Sequence, residues 1–297
     1  MACRFQYTRL FLVLLLAIVV GGCAAKTSYR FLDWIVAWTV DDYVVLDKEL
    51  ESEFERRLDQ QLQWHQATQL PRYSALLRSL QDDLQRPLTP VVVNQYLLRV
   101  NGFWLDIIAQ ITPDITAILS QLSDAEVAIL LDNFGDKIAE SEEKYTDADA
   151  KQLSRERIKR VEKTVKRFIG RLNENQRQII RHWEQQLQDA WPGWLAARKT
   201  WRENLATTLS SRREADFEQN ITTLFTAEPA ANDETYQQVV VANTHKSIEL
   251  IIALQASLTE KQRAHLNKEL AYWAEAFDEL ASEIKSREAI PQNSGIL

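Results

Sequence analysis

Glycine and proline are scarce: the 297 residues hold seven of each, and two of the glycines fall within the first 22 positions. Sandwiches and propellers of β-strands need turn residues every ~8–12 positions, so both architectures are excluded. No glycine-rich phosphate loop occurs anywhere in the chain. Cysteine is limited to Cys3 and Cys23, which excludes a disulfide framework and a cysteine-rich zinc site. Methionine is limited to Met1. Positive charge is in deficit, with 35 Lys and Arg against 42 Asp and Glu, and a net charge of −7 gives no general ground for a nucleic-acid partner. What remains is 45% hydrophobic and 26% charged, the balance of a globular chain. Its length suits one large domain or two ordinary ones.

The first 22 residues read as an address. Arg4 and Arg9 precede an apolar run from Leu10 to Val20, and Gly21, Gly22 and Cys23 follow. A basic start, a short apolar core and small residues at the cut make a secretory signal. The run is too short to cross a bilayer, which takes about 20 residues. Val20-Gly21-Gly22-Cys23 resembles a bacterial lipobox, cut before a cysteine that then carries a diacylglycerol thioether and an N-acyl chain. The alternative is an ordinary signal with a cysteine there by chance. Each buried methylene contributes about 0.8 kcal/mol, so three chains form a firm anchor. Ala24, where an Asp usually signals inner-membrane retention, places the anchor by that resemblance in the outer membrane, facing the periplasm. Expected boundaries are a signal at 1–22, a lipidated tether at 23–28, a helical domain at 29–287 (in one or two sub-bundles) and a tail at 288–297. Cleavage leaves 33 basic against 42 acidic residues, no methionine and one acylated cysteine, which excludes a thiol enzyme.

The mature chain reads as helix almost throughout, which predicts an all-α, elongated multi-helix bundle. Tyr29–Val45 is apolar around most of its circumference, as in a helix that is buried or lies on a membrane. Leu50, Phe54, Leu58, Leu62 and Gln66 follow at i+4 steps along a helix to about Gln69. Pro71 is expected to open a separate helix to Gln85, and Pro113 to kink or break another over Pro90–Leu122. A helix from Ser123 is expected to bend or break near Gly135, ahead of a polar stretch, Glu140–Asp149. A charged helix over Ala148–Arg171 shows an apolar stripe at Val161, Val165, Phe168 and Leu172. Asn173–Ala190 and Gly193–Thr226 come next. Glu228–Asp233 reads as a linker before closing helices at Glu234–Ser257 and Thr259–Arg287.

Three helix starts share one grammar: Leu122-Ser123-x-x-Glu126, Leu172-Asn173-x-x-Gln176 and Leu258-Thr259-x-x-Gln262. Each is a capping box, in which two side chains satisfy orphan backbone donors reciprocally. Plain helix-start chemistry accounts for them. Leu258–Gln262 also resembles the Leu-Thr-x-x-Gln repeats of small helical periplasmic chaperones of the Spy and CpxP kind, from which the other two depart by one and two residues. A broader resemblance rests on Asp33-Trp34 through Trp38, Asp41-Asp42-Tyr43, Trp64-His65 and Leu70-Pro71-Arg72-Tyr73, in that order after a lipobox. These pieces resemble an uncharacterised, domain-of-unknown-function family of helical Gram-negative lipoproteins. The resemblance implies an all-helical lipoprotein and supplies no reaction, cofactor or catalytic residue.

Chemistry-bearing patterns are thin. His65, His182, His245 and His265 form no His-Glu-x-x-His motif, and His265 with Glu269 is a two-ligand pair at most. Adjacent Asp41 and Asp42 point about 100° apart on a helix, so they make no acid–base pair; one is expected to pair with a base such as Arg72. No catalytic residue, metal site or cofactor is assigned, and the chain reads as a non-enzyme. Charge is more informative. Lys151–Arg171 holds nine basic and two acidic residues. Arg155, Lys159, Arg160, Lys163, Lys166 and Arg167 are the candidate surface for an anionic partner, the alternative being neutralisation by Glu140, Glu142, Glu143 or the Glu49–Glu55 helix. Nine tryptophans suit a core, while Trp34 and Trp38, sharing a face 11 and 15 residues past Cys23, also suit a membrane interface. Two function classes stay open. One is a lipid-anchored binding or scaffold lipoprotein holding polypeptides or envelope components in chaperone-like fashion. The other is a structural or adaptor subunit of an envelope complex. Nucleic acid is not among the expected partners.

Overall fold

The computed structural model describes Tyr29, residues 31–227 and residues 233–288, among which there are ten helices and no strand. The signal, Cys23 with its tether, most of the linker and all of the tail except 288 lie outside the described residues. The helices are α1 (Leu32–Asp41), α2 (Lys48–Asp83), α3 (Pro90–Leu119), α4 (Asp124–Asp147), α5 (Ala150–Ile169), α6 (Glu174–Gln185), α7 (Trp191–Ser210), α8 (Phe217–Thr226), α9 (Glu234–Ala256) and α10 (Glu260–Glu288). The architecture is an all-α multi-helix bundle, as the sequence predicts.

The long helices α2 and α3 lie antiparallel: Arg57 pairs with Asp114, Arg72 with Asp106, and Tyr96 with Asp83. Around their C-terminal and N-terminal halves respectively pack α5, α6, α9 and α10. Leu70, Tyr73, Phe103, Trp273, Phe277 and Leu280 form the main core there. Around the opposite halves pack α1, α4, α7 and α8, whose core holds Leu50, Ile118, Leu130, Leu205, Leu209, Phe217 and Ile221. Of the described helices, α3 is long and apolar enough to cross a membrane by length and composition. It supplies Val93, Phe103, Ile108 and Ile118 to the protein interior.

Several expected helix ends are not there. Pro71 sits inside one continuous 36-residue α2. Its ring removes a hydrogen bond, yet Leu70, Tyr73 and Ser74 on either side are buried, and their packing holds the helix across the defect. Pro113 is likewise inside α3. Gly135 does not interrupt α4; Arg202 packs against it and donates to the Leu131 carbonyl at 2.8 Å, an approach that a side chain at 135 would crowd. The expected Gly193–Thr226 helix is instead two, α7 and α8. Arg212 is buried in the turn between them, where it donates to the carbonyls of Leu122 and Leu209 and pairs with Asp124. Arg72, expected beside Asp41 or Asp42, pairs with Asp106, because α2 and α3 bring those two together.

All three capping boxes form. Two of them meet. Gln176 and Gln262 are buried and exchange amide hydrogen bonds, each Nε2 donating to the other's Oε1 at 2.9 Å. Each Oε1 also accepts its own cap's backbone N–H, from Asn173 and Thr259. Both Nε2 groups reach a loop carbonyl as well, Ser257 for Gln176 and Arg171 for Gln262. The starts of α6 and α10 are thereby locked together. The Leu-x-x-x-Gln grammar is a joint inside the protein, and its glutamines present nothing to a client polypeptide.

Candidate functional site

Beneath α1 lies a cavity of about 460 Å³ whose accessible lining is apolar. Its walls come from six helices: Val36 and Val40 of α1, Leu58 of α2, Ile115 and Ile118 of α3, Phe134 of α4, Leu205 of α7 and Phe225 of α8. Local patterns explain these positions. Val36 and Val40 are one turn apart on the inner face of α1, and Leu58 belongs to the i+4 stripe of α2. Asn133 anchors the roof by donating to the Tyr43 carbonyl at 2.8 Å, and Tyr43 packs on Phe134 with ring centroids 4.5 Å apart.

Polar groups enter at one edge only. Arg57 lies between Glu53 and Asp114, and Gln61 donates its amide N–H to Asp114. Burial works against the Arg57 charge, but hydrogen bonds to Glu53 and Asp114 outweigh it and raise its pKa. Hydrogen bonds from Arg56 and Arg57 hold the Glu53 carboxyl below its usual range. The cluster is charge-paired within itself, so it offers no unbalanced charge to a ligand. The Gln61 Oε1 is buried with no hydrogen-bond partner among the described residues.

The basic helix α5 docks as its stripe requires: Ile158, Val161, Val165 and Phe168 pack against the core shared with α6 and α9. Gly170 ends it at φ 78, a left-handed conformation that glycine adopts without strain. Arg155, Lys159, Arg160, Lys163 and Lys166 are exposed, and none has an ion pair among the described residues. Of the expected neutralisers, Glu142 pairs with Lys199 and Glu53 with Arg56 and Arg57. Arg167 departs from the group. Its guanidinium lies 5.7 Å from the centre of the Trp273 ring, and burial lowers its pKa. The structure thus places five of the six candidate bases in solvent and turns the sixth inward. Cys23, the candidate lipidation site, is outside the described residues.

Sequence reasoning passed over one buried polar chain. His65 sits between Tyr29 and Tyr73, its Nδ1 3.0 Å from the Tyr29 hydroxyl and its Nε2 3.1 Å from the Tyr73 hydroxyl. Burial lowers the His65 pKa to about 4 and raises those of both tyrosines. Eight residues separate His65 from Tyr73, which puts them near one helix face, but Tyr29 arrives only through the tertiary fold. Among the described residues no group of three or more His, Cys, Asp or Glu is placed to hold a metal ion.

The model for a family of unknown function, DUF6279, matches residues 42–237. The chain belongs to this family. The DUF6279 stretch holds α2–α8 entire, and with them most of the cavity wall, the Arg57–Asp114 pair and the basic helix. Cys23, α1 and α10 lie outside it. No curated protein and no solved structure matches the chain.

Proposed function

We propose that this protein is a lipid-anchored, non-enzymatic binding lipoprotein of the outer membrane, facing the periplasm, and that it holds a neutral apolar ligand in the cavity beneath α1. The observation that carries this reading is the cavity itself. At about 460 Å³ it falls within the ~300–1,000 Å³ of small-molecule sites. The cavity is half open to solvent and its accessible lining is apolar, so an apolar occupant gains dispersion contacts while covering apolar surface. The charges of Arg56 and Arg57 are paired with Glu53 and Asp114 and no polar atom faces the cavity, which suits a neutral apolar ligand rather than an anionic headgroup. The lipobox ending at Cys23 and the Ala24 after it support the anchor and the location. The test is titration with N-phenylnaphthylamine, a neutral apolar fluorophore. Saturable binding is expected, together with its loss in Ile115→Trp, which fills the cavity. Equal binding by both proteins, or none by either, overturns the reading.

A second reading, an adaptor docking on an anionic envelope partner, is favoured by the five exposed, unpaired bases of α5. Lys159→Glu, Lys163→Glu and Lys166→Glu combined should abolish binding to anionic-lipid vesicles or acidic polypeptides, and salt should weaken it in the parent. Salt-independent binding that survives the triple change removes this reading.

A further inference from the structure

Helix α1 has two apolar faces. Val36 and Val40 look inward and roof the cavity. The other face is uncovered: Phe31 is 55% exposed, Trp34 63%, Ile35 40% and Trp38 57%. These four positions are i, i+3, i+4 and i+7, so at about 100° per residue they form one stripe along the helix. Trp34 and Trp38 stack along it, their rings 9° from parallel. The nearest acid in sequence, Asp33, falls outside the arc by the same spacing. A contiguous group of large exposed apolar side chains marks a contact surface.

We infer that this stripe seats α1 in the headgroup region of the membrane that carries the lipid anchor. The inference rests on the anchor reading proposed above. Phe31 follows Cys23 by eight residues, a span of at most about 28 Å when fully extended. The stripe is therefore held within reach of the bilayer surface wherever the acylated cysteine sits. Tryptophan is the side chain that favours that depth, with its ring apolar and its indole N–H in contact with polar groups. A second copy of the chain is the less suitable occupant. Aromatic side chains bury about 150–250 Å² each when fully covered, and the three here are already partly covered, as is Ile35. The stripe thus offers well under the about 800 Å² per partner of a stable protein interface. Seated this way, α1 lies between the bilayer and the cavity, so hydrocarbon reaching the cavity from the membrane meets α1 first.

The experiment uses the full lipoprotein in vesicles whose acyl chains carry bromine, a short-range quencher of tryptophan. Mass spectrometry of the N-terminus is run on the same sample. The parent protein is expected to lose emission in brominated relative to plain vesicles. Trp34→Phe with Trp38→Phe keeps the stripe apolar but removes its fluorophores, and should show at least a roughly twofold smaller loss. Because both side chains are exposed, circular dichroism should match the parent. An acylated Cys23 with equal quenching in both proteins overturns this inference and leaves the anchor standing. An unmodified N-terminus overturns the anchor reading and this inference with it. A concentration-dependent dimer that Trp34→Glu with Trp38→Glu abolishes, without bromine quenching in the parent, also overturns it by giving the stripe to a second copy.

Discussion

The two ends of the α2–α3 pair are built differently. At the end shared with α5, α6, α9 and α10, polar side chains tie separate helices together. Gln66 donates to the Leu280 carbonyl, Gln81 to that of Asn267 and Gln255 to that of Arg86, while Gln176 and Gln262 bond each other. Each such amide is buried or half-buried, so each must find partners, and each accepts only one arrangement of the surrounding helices. At the end shared with α1, α4, α7 and α8 polar ties also occur, Arg212 to the Leu122 carbonyl and Asn133 to that of Tyr43, but they border an apolar core beside a half-open cavity. Apolar contacts are non-directional, so that end can hold an empty volume or an occupant without a change in hydrogen bonding. A rigid joint and an accommodating cavity therefore sit at opposite ends of the same two helices.

The contrast is broken most strongly by truncating core residues. Leu280→Ala, at the tightly packed end, should cost about 3–5 kcal/mol because it opens a new void. Leu119→Ala, on the cavity wall, should cost below about 2 kcal/mol, since its side chain already lacks neighbours on one side. Urea unfolding of the two variants measures both, and equal costs would remove the distinction between the ends.

Acid should loosen the packed end next. His65 has a native pKa of about 4 against an ordinary 6.5, so between those values the unfolded chain binds the extra proton. Stability contributed by the neutral ring is complete above pH 6.5 and is lost as pH falls toward 4, on the order of 3 kcal/mol in all. His65→Gln should flatten that part of the stability–pH curve, as read from denaturant midpoints at pH 7, 5.5 and 4.

The amide joint gives a smaller effect. Gln262→Leu orphans the buried Gln176 amide and should cost about 1–3 kcal/mol. Changing both glutamines to leucine should recover part of that loss, and a double-mutant cycle on thermal midpoints checks it. Smallest are the caps: Thr259→Ala at the joint and Ser123→Ala at the cavity end should each cost about 1 kcal/mol. A much larger loss for Thr259→Ala would show that the cap and the Gln176–Gln262 pair act as one unit, because Gln262 serves both.

The helices were legible from residues that act locally. Ser123, Asn173 and Thr259 mark real starts because a capping side chain bonds backbone only three positions away. Val161, Val165 and Phe168 mark the buried face of α5 because a helix puts them on one side. The breaks were misread where distant groups decide. Pro71 and Pro113 are strong local breakers, yet the packing around Leu70 and Tyr73, and around Ile108 and Ile118, outweighs them. Nothing near Arg212 in sequence ends a helix; its partners Leu122 and Asp124 are some 90 positions away. The candidate bases of α5 were readable as a run, but which of them face solvent and that Arg167 turns toward Trp273 depended on the docking of the helix. The cavity left no local trace, because its wall draws single residues from six helices.

The sequence by itself determined the helical class, the cap positions and the basic and apolar faces of α5, because each depends on neighbours within a turn or two of chain. Only the tertiary structure decided that two capping boxes interlock, that His65 is enclosed between Tyr29 and Tyr73, and that α1 roofs a cavity while turning Trp34 and Trp38 outward. Those features depend on which helix faces meet. Helix faces are matched by apolar burial, which registers area and shape but not residue order.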